Sequence, residues 1–432
     1  MTQSMPQPVV LHHHFKPQLR QAYIRGSLLL AASLFLFCIN NAVSAGAGIT
    51  STASSTATHV FSNTTAISRT GADTNTAAHD DSETVLNLPV VKLEQTDTLA
   101  QTIEKIDTAR VILVGETHTR WDHHLVQLEI LKLLYQKSPK LAIGVEWFQQ
   151  PFQEHLDAYL DGEISEEEML HLTDYFKRWR YDYRLYRPII QFAREHKIPI
   201  VALNASHELS SALSKSGFDG LPVELKAQLP SSYDWSDKAY EKRLRSIFDE
   251  HPDYSGEFED FLRGQLTWDE SMAERAAHYL DQKPETRMLI LAGSGHIAYG
   301  SGIPNRIKRR IAVEPFSILV SEDFLPISDE IADFLVLSPA QSLEPFGLIG
   351  ALLETEGKLL VIKGFSDNSA AKDAGLLEGM VIIGVDNTSV ESFADFKLAI
   401  LDKKPGESVE LRYLENAESG SKDVKSINIE LR

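Results

Sequence analysis

The chain has one cysteine, Cys38, in 432 residues. That excludes an intramolecular disulfide framework and any cysteine-rich zinc or iron–sulfur site. Positive charge is also scarce: 42 Lys and Arg stand against 61 Asp and Glu, a formal net charge of −19. Phosphate backbones repel such a chain, which argues against general nucleic-acid binding. No P-loop and no Ser–His–Asp arrangement is evident, and no long apolar run follows the N-terminal region. What remains is ordinary globular composition, 43% hydrophobic and 24% charged, long enough for two to three domains.

The N-terminus reads as a processing segment. Lys16, Arg20 and Arg25 precede an apolar run over Gly26–Ile39, the length of a signal-peptide core and short for a membrane span. Val43 and Ala45 suit small-residue cleavage, so residues 1–45 are expected to be removed, with a retained anchor as the alternative. Export to the periplasm or beyond follows, with membrane association if the anchor stays. Phe37 before Cys38 disfavours lipidation of that cysteine. Residues 46–85, rich in Ser, Thr, Ala and Gly without a period, read as a disordered tether.

From residue 86 to about 325 the chain alternates strand and helix patterns. Continuous apolar runs at Ala109–Val114, Leu141–Val145, Ile198–Leu203, Arg287–Ala292 and Phe316–Val320 predict strands buried on both faces. Helical patterns cover Asp122–Gln136, Leu185–His196 and Phe258–Leu280. The fold class is therefore α/β, a mainly parallel sheet with helices on both faces, which binds ligands beyond the strands' carboxyl ends.

Four strands end in chemistry: Gly115-Glu116-Thr117-His118, Glu146-Trp147, Asn204-Ala205-Ser206-His207 and Gly293-Ser294-Gly295-His296. Glu116, His118, Glu146 and His296 are the strongest candidates, as ligands for a divalent metal such as Zn or Mn or as acid–base groups. His207 reads as the opening of a helix over 208–214, and His123 and His124 as a helix start with one ring able to face the rim.

These motifs, with His123-His124-x-x-Gln127, Gly144-Val145-Glu146, Ala202-Leu203-Asn204-Ala205 and Gly293-Ser294-Gly295-His296-Ile297, resemble the ChaN family of haem-binding proteins associated with iron uptake, within the Tiki/TraB-like superfamily. The resemblance spans about residues 98–320. It implies haem binding within a subunit or between two, the latter requiring a homodimer. It also leaves open a metal-dependent hydrolase or protease using Glu116, His118, Glu146 and His296. For haem, the segment Trp179–Arg187 supplies rings and guanidinium groups. Tyr183 or Tyr186 is the expected axial ligand, beside the imidazoles of His118 and His296, with Arg180 and Arg187 for the propionates.

Residues 345–432, after a connector over 326–344 containing one helix, resemble a bacterial PDZ domain. The match rests on Ala371-Lys372-Asp373-Ala374-Gly375-Leu376 and the strand from Val381, although Ser369 lacks a following proline and Met380 replaces the usual aspartate. The resemblance implies capture of a peptide or protein C-terminus as an added strand, with free N–H groups of Phe346, Gly347 and Leu348 as the carboxylate-binding loop. A binding adaptor without catalysis is the third reading.

Overall fold

The computed structural model describes residues 97–251, 256–321, 330–415 and 423–432. The expected signal peptide and tether lie outside them. No helix among the described residues is long and apolar enough to cross a membrane.

The first domain is built around a six-stranded parallel sheet. In chain order its elements are α1 (Leu99–Lys105), β1 (Val111–Glu116), α2 (Trp121–Lys137), β2 (Leu141–Gln149), α3 (Gln153–Asp161), α4 (Glu166–Leu172), α5 (Tyr175–Arg178), α6 (Arg187–Glu195) and β3 (Ile200–Asn204). There follow α7 (His207–Ser216), α8 (Val223–Lys226), α9 (Lys238–Asp249), α10 (Phe258–Gln282), β4 (Arg287–Gly293), α11 (Ile303–Arg310), β5 (Phe316–Ser321) and β6 (Phe334–Leu337). The strand order is β3-β2-β4-β1-β5-β6.

Period-two side-chain alternation divides the strand residues between two cores. Ile112, Val114, Ile143, Val145, Leu289 and Leu291 face a core shared with α2 to α6. Val111, Leu113, Ala142, Met288 and Ile290 face a second core shared with α7, α10 and α11. Both faces are covered, which is why the strands are continuous apolar runs. The edge strand β3 is closed by a side chain: Gln153 Oε1 accepts from the Ala202 N–H (2.9 Å) while its amide donates to Ile200 O (2.7 Å). One glutamine thus occupies hydrogen-bonding groups that an open edge would present to another chain.

One expectation fails here. Ile331–Leu337 was expected as a helix in a separate connector, yet Phe334–Leu337 is β6, paired in parallel with Ile318–Ser321 of β5. Its run Phe-Leu-Val-Leu is too short for periodicity to separate strand from helix, and pairing with β5 decides it.

The second domain is an antiparallel sheet formed by β7 (Ala351–Glu356), β8 (Leu359–Phe365), β9 (Val381–Val385), β10 (Thr388–Ser389), β11 (Ser408–Leu414) and β12 (Lys425–Glu430). Its order is β12-β11-β9-β8-β7, with β10 on β9. Two helices, α12 (Ala370–Asp373) and α13 (Phe393–Ala399), complete it. Leu360, Ile362, Ile382, Phe396, Leu411 and Ile429 form its core.

Candidate functional site

The order β2-β4-β1 makes three of the chemistry-bearing strands adjacent, so their carboxyl ends meet on one rim. Glu116 is the last residue of β1 and His118 follows two residues later. Their side chains pair, His118 Nδ1–H donating to Glu116 Oε1 at 2.5 Å. Both are almost fully buried. Burial alone would lower the pKa of His118, but the charges of Glu116 and Glu146 and the Glu116 hydrogen bond outweigh it and hold it above the ordinary value.

The loop carrying His118 is fixed from behind. Its carbonyl accepts from His124 Nε2 (3.2 Å) and from Tyr186 Oη (3.4 Å), and the Thr117 N–H donates to His123 Nδ1 (3.1 Å). The two histidines at the start of α2 are therefore braces, and burial lowers both their pKa values, that of His123 to about 4.

Glu146, from β2, accepts from the Gly293 N–H at the end of β4 (2.7 Å), and its other oxygen lies 3.4 Å from His296 Nε2. His296 Nδ1–H donates to Asp269 Oδ1 (2.6 Å), and Tyr240 Oη donates to Asp269 Oδ2 (2.5 Å). Burial opposes charge on both partners of the Glu146–His296 pair, yet each stabilises the other. With Asp269 also acting on the ring, His296 rises to about 10, while His296 and His118 bring Glu146 down to about 2. Gly293 is where the two halves approach. A Cβ there would lie 3.0 Å from His118 Cε1, 3.2 Å from His118 Nε2 and 3.5 Å from Glu146 Oε2. His118 Nε2 and Glu146 thus flank one spot, and glycine leaves it open.

The four rim residues come together as expected, but through pairwise hydrogen bonding. Among the described residues no group of three or more His, Cys, Asp or Glu side chains is arranged to hold a metal ion, and the Zn or Mn alternative gains no support from the geometry. His207 sits apart, its N–H bonded to Gln149 Oε1.

A cover closes the rim. Trp179 and Tyr181 set their rings 4.9 and 4.8 Å from the His118 ring, with Arg180 between them in the left-handed region at φ 68°. The space left beside Glu146, Trp147, Tyr175 and Asn204 is about 10 Å³, the scale of one water molecule. A larger cavity of about 610 Å³, lined by Gln150, Ser231, Glu274, Arg275 and others, includes none of the rim residues.

Tyr183 and Tyr186 lie inside the core. Tyr183 Oη donates to Glu166 Oε1 (2.9 Å) and Tyr186 Oη to the His118 carbonyl, and burial raises both phenol pKa values. Arg187 is held by Glu166 and by Asp402, whereas Arg180 is exposed. In the second domain the expected carboxylate loop needs correction. The Gly347 N–H donates to Lys403 O (2.8 Å) and the Leu348 N–H to Arg432 O (2.9 Å), so neither is free for an anion. Gly347 is packed against Leu431, and the Phe346 ring lies between Arg184 and Lys397.

Sequence reasoning missed Asp269, Tyr240 and Tyr181. Asp269 is one of nine consecutive buried positions, from Gln265 to Ala273, on α10. An acid inside so deeply buried a helical stretch is the available signal, since it must find a partner.

Several solved structures are similar in part. One is titled as cofacial haem binding to ChaN of Campylobacter jejuni, 19% identical over 57% of this chain and 94% of that one, with a TM-score of 0.48. A peptide-bound PDZ domain of a carboxy-terminal protease from Vibrio cholerae is 21% identical over 20% of this chain and 93% of its own, with a TM-score of 0.18. An erythromycin esterase mutant is 13% identical over 50% and 71%, with a TM-score of 0.32. No curated protein matches the chain. Residues 102–307, which contain the whole rim and its cover, match the family model described as haem-binding uptake, Tiki superfamily, ChaN.

Proposed function

We propose that the protein is an exported haem-binding protein of the iron-uptake type whose second domain is a PDZ-like peptide-binding module. The match of residues 102–307 to a haem-binding family carries this reading. The rim supports it chemically. His118 has one ring nitrogen held by Glu116, while its Nε2 faces the spot beside Gly293. That is the arrangement of an axial imidazole, whose second nitrogen is oriented by a carboxylate. His296 fits less well, because Asp269 and Glu146 engage both of its nitrogens and hold it charged. Half-buried Tyr181 offers an aromatic face beside His118, and exposed Arg180 offers a guanidinium for a propionate. Bound haem would supply a ferric centre and a flat apolar face. The chain's part is to orient His118 and to move the cover aside, since the closed rim has no room for a porphyrin. Haemin titration of the protein without residues 1–45 tests this: a saturable Soret shift that His118→Ala abolishes is expected, and no shift in the unmodified sequence overturns it.

A second reading, hydrolysis, is favoured by one observation: His118 Nε2 and Glu146 Oε2 flank the same spot beside Gly293. One water there would touch both an imidazole and a carboxylate, although Glu146, lowered to about 2, is a weak base. Ester turnover lost in both His118→Ala and Glu146→Gln, with no haemin binding, would select it.

A further inference from the structure

The cover over His118 is held from outside its own domain. Helix α13 of the second domain presents three faces. Phe396 and Ile400 enter that domain's core. Ala394, Leu398 and the following Leu401 join the first domain's core, which also contains Trp179, Tyr183 and Tyr186. Lys397, with Phe393 one turn before it, forms the third face: Lys397 Nζ lies 4.4 Å from the centre of the Phe346 ring, and the Phe393 N–H donates to Thr355 of β7 (2.9 Å).

Phe346 is shared. Its other cation is Arg184 of the cover, 4.6 Å from the ring centre, whose guanidinium also binds Asp182 (2.7 Å) and the Glu344 carbonyl (3.0 Å). Beside it Arg187 joins Glu166 of α4 to Asp402. Between these anchors and the rim the chain carries Asp174 and Arg180, both non-glycine residues at positive φ (53° and 68°). Such conformations persist where surrounding contacts over-determine them. Helix α13 of the second domain packs on α5, the segment between those two positions.

We infer that the second domain is a clasp that keeps the cover closed over His118, acting through Phe346–Arg184 and Asp402–Arg187. Loosening the clasp lets Trp179 and Tyr181 leave the His118 ring and opens the spot beside Gly293. The consequence for haem rests on the function proposed above; the clasp itself does not. Because the Phe393 N–H binds Thr355 of β7 and Lys397 follows one turn later, an occupant alongside that strand would act on the helix that holds the anchoring ring.

Hydrogen–deuterium exchange on the full chain tests the clasp, using Asp402→Arg, which sets a cation against Arg187, and Phe346→Ala. Amides of residues 175–187 are expected to exchange roughly tenfold faster in both variants, with β1 and β4 as protected as before. Unchanged exchange in 175–187 in both variants overturns the inference. Equal acceleration in β1 and β4 also overturns it, because the contact would then only stabilise the domain as a whole. Faster exchange without faster haemin association leaves the clasp standing and counts against haem binding at His118.

Discussion

His118 Nδ1 lies 2.5 Å from Glu116 Oε1, across a single intervening residue at the end of β1. The strand ends at Glu116, and the turn through Thr117 brings the imidazole back over the carboxylate. The contact fixes which ring nitrogen points outward, and so which atom can bind a ligand or carry a proton.

The first prediction concerns that contact. Glu116→Gln keeps the shape of the side chain and removes its charge. Haemin affinity should fall about 10–100-fold, as is usual when the outer partner of a metal-bound histidine is changed. The Soret maximum should shift as well, because the imidazole becomes a weaker donor. An unchanged titration would mean that His118 is not the ligand.

A second prediction follows from Tyr183. Its phenol is buried and donates to Glu166, so Tyr183→Phe should cost about 1 kcal/mol in urea unfolding and leave the haemin spectrum as it was. A changed spectrum with unchanged stability would restore Tyr183 as a ligand and require the core around it to open.

Much of this arrangement was legible in the sequence, and the losses have physical causes. Five of the six strands of the first sheet, all but β6, announced themselves because burial on both faces demands continuous apolar runs. Glu116, His118, Glu146 and His296 were legible because they follow those runs directly. That Glu146 would pair with His296 was not, since that pairing depends on β2 and β4 being neighbours, set by packing far along the chain. Asp269 reaches His296 from the middle of a helix, and no local pattern ties the two. Tyr183 and Tyr186 looked like ligands because polar-tipped rings beside arginines suit a surface as well as a core. Gly347 and Leu348 looked like an anion-binding loop, but Lys403 and Arg432, both distant in sequence, take their N–H groups.

The third prediction is a pH profile. Folding raises the pKa of His296 from 6.5 to about 10, so its stabilising charge is fully present below pH 6.5 and is lost as pH rises through about 10. Glu146 is lowered from 4.5 to about 2, so its contribution is present above pH 4.5 and is lost as pH falls through about 2. The pair therefore supports the fold most fully between those outer values, from pH 4.5 to 6.5. Urea unfolding should show stability declining from pH 6.5 towards 10, and His296→Gln should flatten that limb. Parallel slopes in the two proteins would remove His296 from the alkaline side.

The last prediction uses the one position where the halves of the rim have no side chain between them. Gly293→Ala would place a methyl group 3.0 Å from His118 Cε1 and 3.5 Å from Glu146 Oε2. The neighbours there are side-chain ends, and Gly293 has an ordinary negative φ of −57°, so the backbone needs no rearrangement. His118 must instead tilt by a few tenths of an ångström against Trp179 and Tyr181. The expected cost to folding is small, about 1 kcal/mol on the scale of mild overpacking. The cost to the site should be larger: haemin association should slow and the Soret band broaden as the imidazole loses its single orientation. The Gly293 N–H and its bond to Glu146 survive the substitution, so a loss of binding would report on the space beside His118 rather than on that hydrogen bond. Full haemin affinity in Gly293→Ala, with the fold intact, would show that the ligand does not use the spot between His118 and Glu146.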